Sequence, residues 1–265
     1  KTICSTGSPL SEDGFNYIYK NIKKNVHLSS ISGGTDIVSC FVLGNIYSPV
    51  ISGQIQNNGL GMDVDVCSEK GKSIINKKGE LVCKNAFPSM PLNFWNDKNN
   101  KKFKNAYFKK FKGYWHHGDY AERKKSGSYI IYGRSDATLN PGGVRLGTSE
   151  IYSVVENFKE IKESIVVGQS WENDIRIVLF VVLNPKFSLD KNLLLKIKKN
   201  IKIDASPRHV PSKIIVVNDI PRTKNGKIVE LAVKNIIEGN KLKNIQALAN
   251  PEILDDYKNI KELQN

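Results

Sequence analysis

The sequence predicts a mixed α/β and α+β chain in two parts, the first mostly β and the second smaller, with helices and strands alternating. Three observations carry this reading. One helical period opens the chain, and from Leu28 to Tyr132 short apolar segments follow, broken by glycines. Beyond Asn140-Pro141-Gly142-Gly143 helical and strand periods alternate. Between the two patterns, Gly133-Arg134-Ser135-Asp136 places a domain boundary near Asp136.

The elements follow in order. After the turn Gly7-Ser8-Pro9, Ser11 can cap a helix with Glu12 and Asp13 in its first turn, where the dipole favours negative charge. Phe15, Ile18, Tyr19, Ile22 and Val26 keep helical spacing to about Asn25. Segments 28–32, 63–67, 80–83, 115–121 and 129–132 read as strands, with one hairpin turning at Ser126-Gly127-Ser128. In the second part Thr148 is expected to cap a helix whose Ile151, Val154, Val155 and Phe158 share a face. Segments 161–168, 175–183 and 213–217 read as strands. Asp190 is expected to cap a lysine-rich helix with Leu193, Leu194, Ile197 and Ile201 inward, and 228–237 is a last amphipathic helix. The tail from Lys241 is polar and is expected to drape over the surface.

Composition narrows the function classes. A hydrophobic fraction of 40% in 265 residues supports a real core and argues against disorder. The longest apolar run, 177–183, is far short of a membrane span, and no apolar leader follows Lys1, so a cytoplasmic protein without a membrane partner is expected. Four cysteines in no ligand-like spacing fit buried thiols better than a zinc site or a disulfide framework. The formal charge of +14 comes from Lys spread over helix faces and loops, with only six Arg among forty basic residues. That distribution argues against a nucleic-acid footprint and suits small polyanionic ligands.

Four glycine-containing clusters carry the chemistry. Ser32-Gly33-Gly34-Thr35-Asp36 joins backbone freedom, a hydroxyl and a carboxylate, a set that can approach phosphate and help hold magnesium; an ordinary turn uses the same residues. His117-Gly118-Asp119 ends an aromatic strand, where a carboxylate can accept both ribose hydroxyls of a nucleotide or simply cap a turn. His116 and His117 have no cysteine at metal spacing, so no metal site is expected there. Arg134 and Arg145 flank the glycine loop 140–143 and can pair with phosphate or ribose oxygens. In Pro221-Arg222-Thr223-Lys224-Asn225-Gly226-Lys227, a lysine on a glycine turn can deliver an ammonium to a carboxylate or phosphate.

In their order and spacing these clusters resemble the adenylate-forming superfamily of acyl-CoA synthetases. GRSDATLNPGGVRLGTSEIY is similar to the hinge pattern of that family and PRTKNGK to its lysine motif. STGSPL, SISGGTDIVSCF, HGDYA, SPRHVPSKI and the tail NPEILDDYKNIKELQ look most like its acetoacetate–CoA ligases.

The resemblance implies residues 1–135 as the C-terminal part of a large AMP-binding domain, including a β-barrel-like subdomain. It implies 137–240 as a small mobile α+β domain and 241–265 as a tail. It implies an AMP-forming acid–thiol ligase acting on acetoacetate, ATP and CoA through an acyl-adenylate, with Mg²⁺. Gly7, Ser8 and Pro9 would line the adenine pocket with Ser32, Gly33 and Gly34, and Thr6 and Gly33 would border the acyl group. Thr35 would touch the α-phosphate, Asp36 would position magnesium, Asp119 would bind the ribose, and Arg134 and Arg145 would reach ribose or phosphate. Asp136 would be the hinge, Gly143 would flank the CoA tunnel, and Lys227 would bridge carboxylate and α-phosphate. The acetate-specific members carry Trp where Gly33 stands, so glycine either widens the acyl pocket or merely serves its turn.

Two departures stand out. Asn225 replaces the family's usual Ser, and the upstream Ser/Thr/Gly-rich phosphate loop ending in Lys is missing from these residues. The expectation is an N-terminally incomplete chain, or one half of a split enzyme whose N-terminal half is a separate chain, without full ligase activity alone. The alternatives are another short- or medium-chain acyl-CoA synthetase, and a non-catalytic nucleotide- or CoA-binding half.

Overall fold

The structure is a computed structural model that describes residues 1–242 and 245–265. Its contacts divide the chain into two compact units, Lys1–Ser135 and Asp136–Asn265.

The first unit opens with β1 (Thr2–Ser5), α1 (Glu12–Tyr17) and β2 (His27–Ser30); β1 and β2 pair in parallel with Ser5 opposite Ser30. Ser11 caps α1 as its position foretold, accepting from the Gly14 amide at 3.2 Å. The α-helix stops at Tyr17 and continues as a π-helical stretch, Ile18–Ile22, closed by Lys23 N donating to Ile18 O. The helical spacing reads through this change because its apolar positions find little to pack on: Phe15 is buried, whereas Ile22 is exposed.

Two antiparallel sheets follow. β3 (Ser32–Gly34), β4 (Ser39–Leu43) and β5 (Asn57–Asn58) form the first. β6 (Val64–Cys67), β7 (Lys78–Cys83), β8 (Trp115–Arg123) and β9 (Tyr129–Arg134) form a meander, with α2 (Lys101–Tyr107) between β7 and β8. Ile55 and Tyr129 exchange both backbone hydrogen bonds at 2.8 Å, so the loop before β5 covers the open edge of β9. The core is aromatic, with Trp115, Tyr129, Phe41 and Leu81 fully enclosed and Tyr107 stacked on Trp115 at 3.6 Å. In the lysine-rich stretch around α2, Phe103, Tyr107 and Phe111 turn inward while Asp97 caps the helix by accepting from the Lys102 and Phe103 amides.

The second unit is a three-stranded sheet, β10 (Ile161–Trp171), β11 (Asp174–Leu183) and β12 (Lys213–Val216), with α3 (Ser149–Val155), α4 (Lys191–Asp204) and α5 (Glu230–Ile237) packed on it. β10 and β11 form an antiparallel hairpin; β12 lies parallel to β11, reached through α4 as a parallel crossover requires. The uninterrupted apolar run of β11 now has its reason. Ile177, Leu179 and Val181 join the core with α3 and α4, while Val178, Phe180 and Val182 face α5 and the tail, so both faces are covered.

Two expectations are corrected. Asp190 caps α4 through Leu193 N at 2.7 Å, but Thr148 does not cap α3 with its side chain, since its backbone is already helical at φ −65° and ψ −34°. Glu150 Oε2 takes that end instead, accepting from Gly147 N at 3.0 Å. The tail does not drape: Leu248, Leu254, Tyr257 and Leu263 are buried, and Tyr257 meets Phe180 edge-on at 5.0 Å. Its apolar residues sit among so many charges that sequence averaging hides them.

Candidate functional site

In the first unit, two loops leave the same end of the parallel pair. Thr6-Gly7-Ser8-Pro9 departs from the C-terminal end of β1 and Ile31 leads from β2 into β3, tied by Ile31 N donating to Ser5 O at 2.9 Å. Carboxyl ends of parallel strands are where α/β sheets gather ligands. Gly7 has φ +100°, a backbone that L side chains rarely adopt, and Thr6 to Pro9 are exposed.

Gly33 pairs with Cys40 across β3 and β4, and a Cβ on it would strike the Ser39 carbonyl oxygen and the Cys40 backbone. Glycine is therefore required by the hairpin itself, whatever it does for an acyl group. A Cβ on Gly34 would strike the His117 ring. Thr35 and Asp36 open a 3₁₀ turn, Thr35–Ile37, and are exposed; the Asp36 carboxylate accepts from the Tyr107 hydroxyl. The turn ends at Val38 with φ +48°, a left-handed β-branched residue, which is strained.

β8 and β9 bring the next cluster together. Asp119 faces Arg134 across the two strands, with Nη1 of Arg134 at 3.4 Å from Oδ1 of Asp119 and 2.8 Å from the His117 carbonyl oxygen. Gly118, at φ +87°, leaves the space the guanidinium occupies; a Cβ there would lie 2.7 Å from Arg134 Nη2. Asp119 is buried, and its Oδ2 has no hydrogen-bond partner among the described residues. Such an acceptor can take donors from a ligand or from ordered water.

His117 is the hub that sequence reasoning missed. Trp115 Nε1 donates to its Nδ1 at 3.3 Å, and Tyr107 lies parallel to it at 6.3 Å between ring centres. Burial first, and the Arg134 charge after it, push the imidazole below its usual range, although Asp119 and Asp36 pull the other way. With Nδ1 accepting, the neutral ring carries its proton on Nε2, toward Gly34. Rejecting a histidine as a metal ligand from spacing alone did not reveal this packing role.

A divalent cation would find the exposed carboxylate of Asp36 here; no group of three His, Cys, Asp or Glu able to hold a metal occurs among the described residues. That set fits magnesium held largely by nucleotide phosphates and water, which needs only one or two protein carboxylates.

In the second unit, Leu139 and Leu146 pair across the turn that carries Gly142 and Gly143, at φ +58° and +73°. The Gly142 amide donates to the Asp174 carboxylate at 2.9 Å, and Arg145 Nε donates to Thr138 Oγ1 at 3.0 Å. Gly143, with Asn140, Trp171 and Asp174, borders an open cleft of about 750 Å³ beside the β10–β11 turn. Asp136 begins this unit.

Lys227 is exposed on a tight hairpin. Thr223 N donates to Lys227 O at 2.8 Å, Gly226 N to Thr223 O at 2.8 Å, and Lys227 N to Thr223 Oγ1 at 3.1 Å. Gly226 takes φ +78° at the turn, and Asn225 is accommodated beside it. Arg222 ties the base of the hairpin, Nη1 to Gly226 O at 3.0 Å and Nη2 to Glu163 at 2.9 Å. The tail supplies a further edge, with Lys224 N donating to Ala247 O at 3.1 Å and Ala249 N to Arg222 O at 2.8 Å.

Residues 150–227 match the AMP-binding enzyme C-terminal domain. An acetoacetyl-coenzyme A synthetase of Rhizobium meliloti (strain 1021) is 56% identical over 265 residues, all of this chain and 41% of its own length. The acetoacetyl-CoA synthetase of Xenopus tropicalis is 48% identical over 266 residues, covering 100% of this chain and 40% of its own. Among solved structures, acetoacetyl-CoA synthetase from Streptomyces lividans superposes with a TM-score of 0.90 at 38% identity, over 100% of this chain and 41% of that one. A benzoate CoA ligase from Burkholderia xenovorans LB400 shares the fold, with a TM-score of 0.72 at 23% identity over 87% of this chain and 45% of its own. The chain thus spans about two-fifths of the length of the curated relatives it matches.

Proposed function

From a chain that carries an AMP-binding enzyme C-terminal domain and is homologous over its whole length to acetoacetyl-CoA synthetases, we infer the C-terminal part of an AMP-forming ligase that makes acetoacetyl-CoA from acetoacetate, ATP and CoA. The observation that carries this reading is the Asp119–Arg134 pair. A buried carboxylate oxygen without a donor among the described residues, beside a guanidinium, suits a ribose diol next to phosphate.

In the first half-reaction an acetoacetate oxygen attacks the α-phosphorus of ATP, and the bond to pyrophosphate breaks. Two anions meet in this step, and the Lys227 ammonium would screen their approach and hold the developing charge. Thr35 donates its hydroxyl to the α-phosphate, and the loops 6–9 and 32–34 hold the adenine. Bound magnesium, held by Asp36 and the phosphates, would neutralise part of the phosphate charge. In the second half-reaction the CoA sulfur attacks the acyl carbon, loses its proton, and AMP leaves. In this reading Gly143 would flank the pantetheine and Arg145 would reach a phosphate. Neither step needs a protein nucleophile.

The test joins this chain to the upstream portion of the Rhizobium meliloti relative and measures acid-dependent pyrophosphate release and thioester formation. Acetoacetate is expected to give the highest kcat/KM in a panel with acetate, propionate and butyrate. Preference for another acid would overturn the substrate and leave a different short-chain ligase. The 265 residues alone, lacking the phosphate loop, are expected to release no pyrophosphate. Lys227→Ala in the joined enzyme is expected to slow adenylation by about 100-fold or more.

A further inference from the structure

The hairpin carrying Lys227 is exposed, short and rich in polar residues, a combination that leaves a loop mobile unless something outside it fixes its course. Arg222 accounts for one side. The other side is built by residues far along the chain. Thr223 and Leu248 form an antiparallel bridge, and the Lys224 and Ala249 amides bond across the same edge to Ala247 O and Arg222 O. Asn250 then uses its whole amide on the strand leading into the hairpin. Its Oδ1 accepts from Arg222 N at 2.9 Å, and its Nδ2 donates to Ile220 O at 3.0 Å and to Asp219 Oδ2 at 3.1 Å.

The tail is itself immobilised beyond this point. Tyr257 donates to Asp219 O at 2.9 Å and is fully buried, and Asn218 Nδ2 donates to Asp256 at 2.8 Å. Arg176 reaches the Leu263 carbonyl oxygen at 2.6 Å while its guanidinium lies 3.6 Å over the Trp171 ring. A segment anchored in the core at both Leu254 and Leu263 is a rigid support, and it meets 219–224 through main-chain atoms, the Asn250 amide and the Tyr257 hydroxyl.

We propose that segment 247–250, acting through Asn250, is a positioning element that fixes the Lys227 hairpin for the adenylation half-reaction. Asn250 touches no substrate; it sets where the ammonium of Lys227 is presented. This rests on the reading of Lys227 given above, and the role belongs to one half-reaction only, because transfer to CoA does not use Lys227.

Two measurements test it. In the 265-residue chain, Asn250→Ala is expected to speed amide exchange at Thr223, Lys224, Gly226 and Lys227 by about tenfold, with Leu179 and Phe180 in the central strand unchanged. Unchanged exchange in the hairpin, or equal acceleration in hairpin and strand, overturns the proposal. In the enzyme joined to the upstream portion of the Rhizobium meliloti relative, Asn250→Ala is expected to lower acetoacetate-dependent pyrophosphate release about tenfold. Transfer from supplied acetoacetyl-adenylate to CoA should stay within about twofold of the parent. Equal losses in both half-reactions mean a merely structural residue. Lys227→Ala run alongside separates the two claims: if it spares adenylation, the role of Lys227 fails, and if it abolishes adenylation while Asn250→Ala does not slow it, only the positioning role fails.

Discussion

Asp119 keeps one buried carboxylate oxygen without a donor among the described residues, and a buried acceptor left unsatisfied costs about 1–3 kcal/mol. In the joined protein, Asp119→Asn is therefore expected to weaken AMP binding by about tenfold in a calorimetric titration, and unaltered affinity would refute the ribose role proposed for it. His117 links the same region to pH. Its folded pKa lies below the ordinary 6.5, chiefly because the ring is buried, so the unfolded chain takes up a proton first as pH falls. Stability is then full above about pH 6.5 and lost as pH drops toward the lowered folded value. Thermal melts between pH 7.5 and 5 should show this decline as about one titrating group, and His117→Gln should flatten it. Val38 presents the opposite case, a strained residue that nothing covers: at φ +48° and 88% exposed, it packs on little. Val38→Asn is expected to raise stability by about 1 kcal/mol in urea, unless the strain is needed to aim Thr35 and Asp36, in which case activity falls.

Among the elements, α4 tests local sequence logic and the tail tests its limits. Asp190→Ala removes a cap that accepts from Leu193 N and should destabilise the second unit by about 1 kcal/mol in urea unfolding. Tyr257→Ala should cost about 3–5 kcal/mol, since the ring is fully enclosed against Phe180 and its hydroxyl is bonded to Asp219 O. The first effect was legible in the sequence because a cap acts within four residues. The second was not, because Tyr257 and Leu263 reveal their purpose only against β11, some 80 residues earlier. The same distinction explains Thr148, whose capping role depended on an extended backbone that tertiary packing did not provide. It also explains the π-helical end of the first helix, where spacing was right and burial was absent.

At the scale of the whole chain, the alternation of helices and strands in the second part was readable from apolar period, whereas the pairing of the strands was not, and the contacts divide the chain at Ser135–Asp136, where the patterns changed. The motif residues were readable one by one, but their assembly was not. Nothing in the spacing of Trp115, Tyr107 and His117 announces a stack beneath Asp36 and Asp119, and nothing in PRTKNGK announces Asn250. That last contact has a consequence for how the sequence can drift. The support for the hairpin reads carbonyls and amides of residues 220, 222 and 224, not their side chains. Ala247, Leu248 and Ala249 contribute backbone to it, so in a saturation library positions 247 and 249 should accept most residues that extend, with proline excluded at 249 because its amide is used. Position 250 should accept asparagine almost alone, as the one short side chain offering an acceptor and two donors at that reach.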